Sequence, residues 1–171
     1  MPQTTTALNT VDGLLEASVN GTSWTNISGS TNKVDISPQT IDSGMAASLE
    51  GQYKIVRAGK YNPVEATVTI LFSETASEAY ELLYAQKNVA GRPLYLRITP
   101  GGYDGAYRYY TADSNGAKTP GRITEFPYPS LSAEDAGPTL LVFKIQATQF
   151  ARENNQPSPS ASLSPSASLS A

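Results

Sequence analysis

The side chains that come closest to a chemical constellation are two pairs of carboxylates, Glu74 with Glu78 and Glu134 with Asp135. General acid and base work needs two such groups converging in a pocket that moves their pKa values apart. Neighbours in an extended strand point to opposite faces, so Glu134 and Asp135 do not converge. Acids collect at the start of a helix because its dipole is positive there, which accounts for Glu74 and Glu78 without catalysis. Asp113-Ser114-Asn115-Gly116 carries oxygen ligands but neither the spacing nor the terminal Glu of an EF-hand, and turn chemistry explains it as a surface turn. Gly101-Gly102-Tyr103-Asp104-Gly105 is not followed by the Gly-Lys-Ser/Thr of a phosphate cradle and reads as a hairpin loop. Tyr103, Tyr107, Tyr109 and Tyr110 offer rings on which a sugar face would stack, although Tyr is equally at home in strands and at subunit contacts.

The 171 residues include neither His nor Cys. Imidazole bases, thiol nucleophiles, disulfides and nearly every zinc or haem site are thereby excluded, and neither enzymatic activity nor a cofactor is expected. A formal charge of −3, with twelve Lys and Arg dispersed along the chain, argues against nucleic-acid binding, which needs clustered cations. DNA would pass such a surface without adhering. Met1-Pro2-Gln3 leads into threonines rather than a signal peptide, and no apolar run approaches the roughly 20 residues a bilayer demands, so synthesis in a cytoplasm and no membrane are expected. Asn20-Gly21-Thr22 and Asn26-Ile27-Ser28 match the glycosylation pattern but read as turn formers.

The elements that would position these groups are mostly strands. Leu15, Ala17 and Val19 alternate up to Asn20-Gly21, with Trp24 in the return strand, as in a hairpin closed by a type I′ turn. Thr31 to Ile36 gives a further strand. From about 37 to 61 sustained periodicity is lost, and small residues around Ser43-Gly44-Met45-Ala46-Ala47 bury little, which predicts a long loop that orders against something else. Gln52 to Arg57 has strand character within it. Val64, Ala66, Val68, Ile70 and Phe72 recur every second position and share one strand face, with Glu65, Thr67 and Thr69 on the other. Thr75-Ala76-Ser77-Glu78 has the spacing of a capping box, so a helix is predicted over about 75–90, ended by Gly91 and Pro93. Strands follow at Leu94 to Thr99, Tyr107 to Thr111 and Gly121 to Phe126. A closing strand runs from Leu140 to Phe150, with Leu141, Phe143, Ile145 and Ala147 inward and the Leu140 and Val142 end covered on both faces. Short strands at this spacing with one helix predict an antiparallel β-sandwich or flattened barrel with the helix on its flank. The organisation is an N-terminal arm (1–12), a β domain (13–150) and a C-terminal arm (151–171). That last arm repeats Ser158-Pro159-Ser160-Ala161-Ser162-Leu163 as Ser164-Pro165-Ser166-Ala167-Ser168-Leu169. When extended, it sets Pro159, Leu163, Pro165 and Leu169 on one face, suited to docking on a neighbour; the alternative is a solvated Ser and Pro tail.

The order strand, helix, strand over 64–102, with Gly59 before it, Gly101-Gly102 and Gly105 after it and Arg122-Ile123-Thr124 later, resembles the tail tube proteins (major tail proteins) of long-tailed bacteriophages. So does the opening Val19-Asn20-Gly21-Thr22-Ser23-Trp24-Thr25-Asn26-Ile27, and the likeness covers about residues 10 to 150. It implies a virion structural protein whose hexameric rings stack into a tube that conducts DNA. Its implied partners are copies of itself, a tape measure protein, a tail terminator and baseplate proteins. In such proteins a long loop after the early strands reaches a neighbouring ring, which makes Gly44, Met45, Leu49, Gln52 and Tyr53 the inter-ring candidates. Glu65, Thr67 and Thr69 are the candidates for the lumen or a subunit contact. A tail terminator, a baseplate ring protein or a carbohydrate-binding β module are the alternatives.

Overall fold

The computed structural model describes residues 13–47, 54–75, 78–129 and 137–154, with 45–47 and 54–58 described in their backbone. Eleven strands and one helix follow in the order β1 (Leu14–Ser18), β2 (Thr25–Asn26), β3 (Thr31–Ile36), β4 (Ile41–Ala47), β5 (Lys54–Tyr61), β6 (Val64–Leu71), α1 (Ala79–Gln86), β7 (Pro93–Thr99), β8 (Tyr107–Ala112), β9 (Gly121–Glu125), β10 (Leu140–Ala147) and β11 (Gln149–Asn154). All pairing among these strands is antiparallel. This is the β-rich, helix-flanked architecture that the alternation predicts.

One layer runs β2-β1-β7-β8-β11 and the other β9-β10-β6-β3. Strand β7 belongs to both: its first residues pair with β9 (Leu94 opposite Gly121), and its later ones pair with β1 and β8. At that junction a Cβ on Gly121 would lie 2.8 Å from Cγ1 of Ile145, so only glycine lets β9 approach β10 there. The core lies between the layers. Val64, Ala66, Val68 and Ile70 of β6 are buried alternately, facing Leu141, Phe143 and Ile145 of β10 in register (Phe143 opposite Val68). Leu94, Leu96, Ile123, Leu15 and Ala17 complete it, each large side chain contributing about 1.5–3 kcal/mol by leaving water.

Helix α1 buries Ala79, Tyr80 and Leu83 against this core. It is shorter than the predicted 75–90 and starts later, with Glu78 at its N-cap and no side-chain cap bond. The Thr75 hydroxyl is not the cap: it accepts from Ser73 Oγ at 3.0 Å, and the Glu78 amide donates to the Thr75 backbone carbonyl instead.

Four further expectations are corrected. The stretch 37–61 is not a loop but carries β4 and β5, paired with each other as a two-stranded sheet of their own. The Asn20-Gly21 turn is wider than two residues: Asn20 Oδ1 accepts from the Thr22 and Ser23 amides and Ser18 Oγ from Gly21, which swings Val19 outward to 47% exposure. The closing strand breaks at Thr148, and β11 then crosses to the other layer to pair with β8 as far as Asn154, four residues into the expected arm. Finally, Leu140 and Val142 are exposed on β10 rather than covered on both faces. Leu49, Gln52 and Tyr53, and the C-terminal candidates Pro159, Leu163, Pro165 and Leu169, lie outside the described residues.

Candidate assembly surfaces

The outer face of β3, β6, β10 and β9 gathers Glu65, Thr67 and Thr69 into one polar sheet surface. Cross-strand register sets Thr67 between Asp35 and Lys144, Thr69 between Lys33 and Val142, and Glu65 beside Gln146, itself opposite Arg122. Lys33 Nζ pairs with Asp35 at 2.6 Å and Lys144 Nζ with Glu125 at 3.1 Å. The hydrogen bond to Glu125, then the charges of Glu125 and Glu65, raise the Lys144 pKa above its ordinary value. Three cations (Lys33, Arg122, Lys144) thus meet three carboxylates (Asp35, Glu65, Glu125), and the face carries no net charge with which to hold phosphate. On the same face, toward the start of β10, Leu140 and Val142 present apolar surface at 50% and 40% exposure.

The β4–β5 ribbon is the second surface, and it carries Gly44 and Met45 opposite Arg57 and Val56. Ile41 and Tyr61 are exposed at its base. Asn62 ties that base together: its amide donates to the Thr40 carbonyl, and its Nδ2 donates to Thr40 Oγ1 and Asp42 Oδ1. Register slips between Ile41 and Ser43, where the Asp42 carbonyl oxygen would lie 2.3 Å from any Cβ on Gly59. Gly59 therefore permits the bulge. An isolated two-stranded ribbon is marginal in water and gains most from a partner.

Three strands pair on one side only among the described residues: β2 with β1, β3 with β6 and β11 with β8. The β11 side is dressed with charge, Glu153 reaching Arg108 and Lys118 while the Arg152 guanidinium lies 4.4 Å from the Tyr107 ring. Such charges discourage indiscriminate strand pairing.

The groups weighed for catalysis or sugar binding do not converge. Glu74 is exposed, Glu78 occupies the N-cap position of α1 without a side-chain cap bond, and Glu134 and Asp135 lie outside the described residues. Tyr107 and Tyr109 share one face of β8, while Tyr110 is buried on the other and donates to the Gly116 carbonyl; Tyr103 accepts from Asn26 Nδ2 in a separate turn. Asp113 Oδ1 accepts from the Asn115 and Ala117 amides, as a turn former does. Among the described residues no three His, Cys, Asp or Glu side chains gather as metal ligands, and no helix is long and apolar enough to cross a membrane.

Sequence reasoning missed an aromatic cluster at the end of α1. Phe72, Tyr80, Tyr84, Phe126 and Tyr128 form a chain of ring contacts, with Lys87 Nζ 4.9 Å from the Tyr128 ring and 5.3 Å from that of Tyr84. Its only linear trace is Phe126-Pro127-Tyr128-Pro129, which reads as a strand terminator until folding brings Tyr80 and Tyr84 beside it.

No family model matches the chain, and no curated protein is similar to it. Solved structures are. A chain of the sheath-tube complex of an extracellular contractile injection system (PVC, extended state) superposes with a TM-score of 0.66 at 10% identity, over 88% of this chain and 94% of that one. The chain has a tail-tube fold. A chain of the tail of an empty GTA particle, refined with C6 symmetry, shares that fold at a TM-score of 0.59 and 15% identity, over 86% and 98% of the two chains. The tube-terminating cap of the anti-feeding prophage does so at 0.62 and 10%, over 86% and 91%. At these identities the tail-tube likeness is one of backbone architecture.

Proposed function

We propose that this chain is a structural protein of a phage tail tube, whose copies assemble into stacked hexameric rings that conduct DNA. The observation that carries the reading is the tail-tube fold itself, which extends over nearly the whole of this chain and of the chains it resembles. Three surfaces support it. The β4–β5 ribbon, with Gly44 and Met45 and the intervening Leu49, Gln52 and Tyr53, is assigned to ring-to-ring contact because it needs a partner to be stable. The charge-balanced face around Glu65, Thr67 and Thr69 is assigned to the lumen or a subunit contact, where phosphate must not stick. The layer-ending strand β11 supplies backbone groups for a neighbouring subunit. The protein works as a scaffold and not as an enzyme, in contact with tape measure, terminator and baseplate proteins. The C-terminal repeat, through Pro159, Leu163, Pro165 and Leu169, lies on a neighbouring subunit.

The likeness to a tube-terminating cap favours a second reading, a terminator that closes the tube as a single ring. Negative-stain microscopy of the concentrated protein tests both. Open-ended tubes are expected, single closed rings would transfer the assignment to the terminator, and monomers at every concentration would overturn both.

A further inference from the structure

Between the two layers, on the side away from β9, lies a groove of about 690 Å³. Its walls are Leu14 and Leu15 of β1, Val34 and Ile36 of β3, and Ile98 and Pro100 at the end of β7. Val34 and Ile98 are only partly buried, and Ile36 is 40% exposed. A groove of this size would admit a small molecule, but ligand sites add convergent polar groups, and here the polar lining is already engaged, Ser28 Oγ with the Leu15 backbone, Thr31 Oγ1 with the Ile27 carbonyl and Lys33 Nζ with Asp35, beside the edge of β3. The Ser37 amide donates to the Glu65 carbonyl at 2.8 Å, so the alternation of an antiparallel pair turns odd-numbered residues of β3 toward β6. The N-H groups of Val34 and Ile36 therefore face the groove side, where no strand among the described residues pairs.

What fits there is an extended segment that brings both backbone groups and small apolar side chains. The described chain begins at Gly13, which itself lines the groove, and Thr4, Thr5, Thr6, Ala7, Leu8, Thr10 and Val11 precede it. Threonine and valine favour extended backbone. Twelve residues reach about 40 Å, roughly twice what a six-residue strand such as β3 spans. We infer that residues 1–12 occupy this groove on their own subunit, pairing with the free edge of β3 and covering Val34, Ile36 and Ile98. The inference does not depend on the tube reading, since it concerns the single subunit.

Hydrogen exchange on dilute full-length protein and on a variant lacking residues 2–11 tests it. Deletion should speed exchange at Val34 and Ile36 by about tenfold or more while β6 and β10 keep their protection, and added synthetic peptide 1–12 should restore the slow rate. Unchanged exchange on deletion overturns the inference. Should the deletion fail to fold, Leu8→Asp with Val11→Asp in the full chain should speed the same two amides, because a carboxylate does not enter an apolar groove. Unchanged rates there overturn it equally. Protection that appears only as concentration rises would hand the groove to a second copy and overturn its assignment to the same subunit.

Discussion

Glu16 and Arg97 show how a single pair is weighted by its surroundings. Arg97 donates through Nε to Glu16 Oε2 at 2.6 Å and through a terminal nitrogen to Oε1 at 2.7 Å, with the Trp24 ring 4.3 Å from the guanidinium. The two side chains are 13% and 14% exposed, so Glu16→Ala leaves a cation unpaired in a nearly dry site and should cost about 3 kcal/mol by urea denaturation. Lys33→Ala breaks a pair that is more than half exposed and should stay within about 1 kcal/mol in the same assay. Tyr80 sets a pH limit. Burial, then the neighbouring Tyr84 and Glu81, raise its pKa above the ordinary 10.0. A raised folded-state pKa gives stability that is complete below the unfolded value and lost as pH climbs through the folded one. Thermal melts should therefore fall above about pH 10, and more gently in Tyr80→Phe; identical alkaline slopes would count against this assignment.

Individual strands differ in how openly the sequence declares them, and burial explains the difference. Val64 to Leu71 was legible because one face enters the core and the other does not, which writes period two directly into the residues. The β4–β5 ribbon was legible only at Gln52 to Arg57, which overlaps the start of β5; elsewhere Asp42, Ser43, Gly44, Gly59 and Lys60 are all exposed, so no face selects for hydrophobes and no alternation arises. Strand β11 escaped notice for a similar reason, having no fully buried residue. Helix α1 was foreseen in kind but not in its start, since the Thr75 hydroxyl bonds to Ser73 instead of the first turn. Of the candidate surfaces, Glu65, Thr67 and Thr69 were recognisable as one stripe, whereas the charge balance around them needed the cross-strand register. The ribbon also carries its own prediction. Gly59→Ala places a methyl against the Asp42 carbonyl and should abolish tube formation by electron microscopy while leaving the thermal midpoint of the β domain within about 2 °C. Normal tubes from this variant would remove the ribbon from ring-to-ring contact.

For the whole molecule, charge decides more than shape. Glu65→Lys with Thr67→Lys turns a balanced face into a cationic one and should leave assembly intact while slowing DNA ejection from reconstituted particles. The delay should shrink as salt rises from about 50 to 200 mM, as phosphate contacts do, and ejection at the ordinary rate would move this face out of the lumen. The sharing of β7 between the two layers has a mechanical outcome as well. Pro93 and Leu94 of β7 join the β9 layer while its later residues carry β1 and β8, so a load passed between the sheets through this strand runs along one seven-residue backbone. Stretched from its ends, the subunit should yield in one rupture and not in two steps, which in the proposed tube would make the bricks of the wall fail together or not at all.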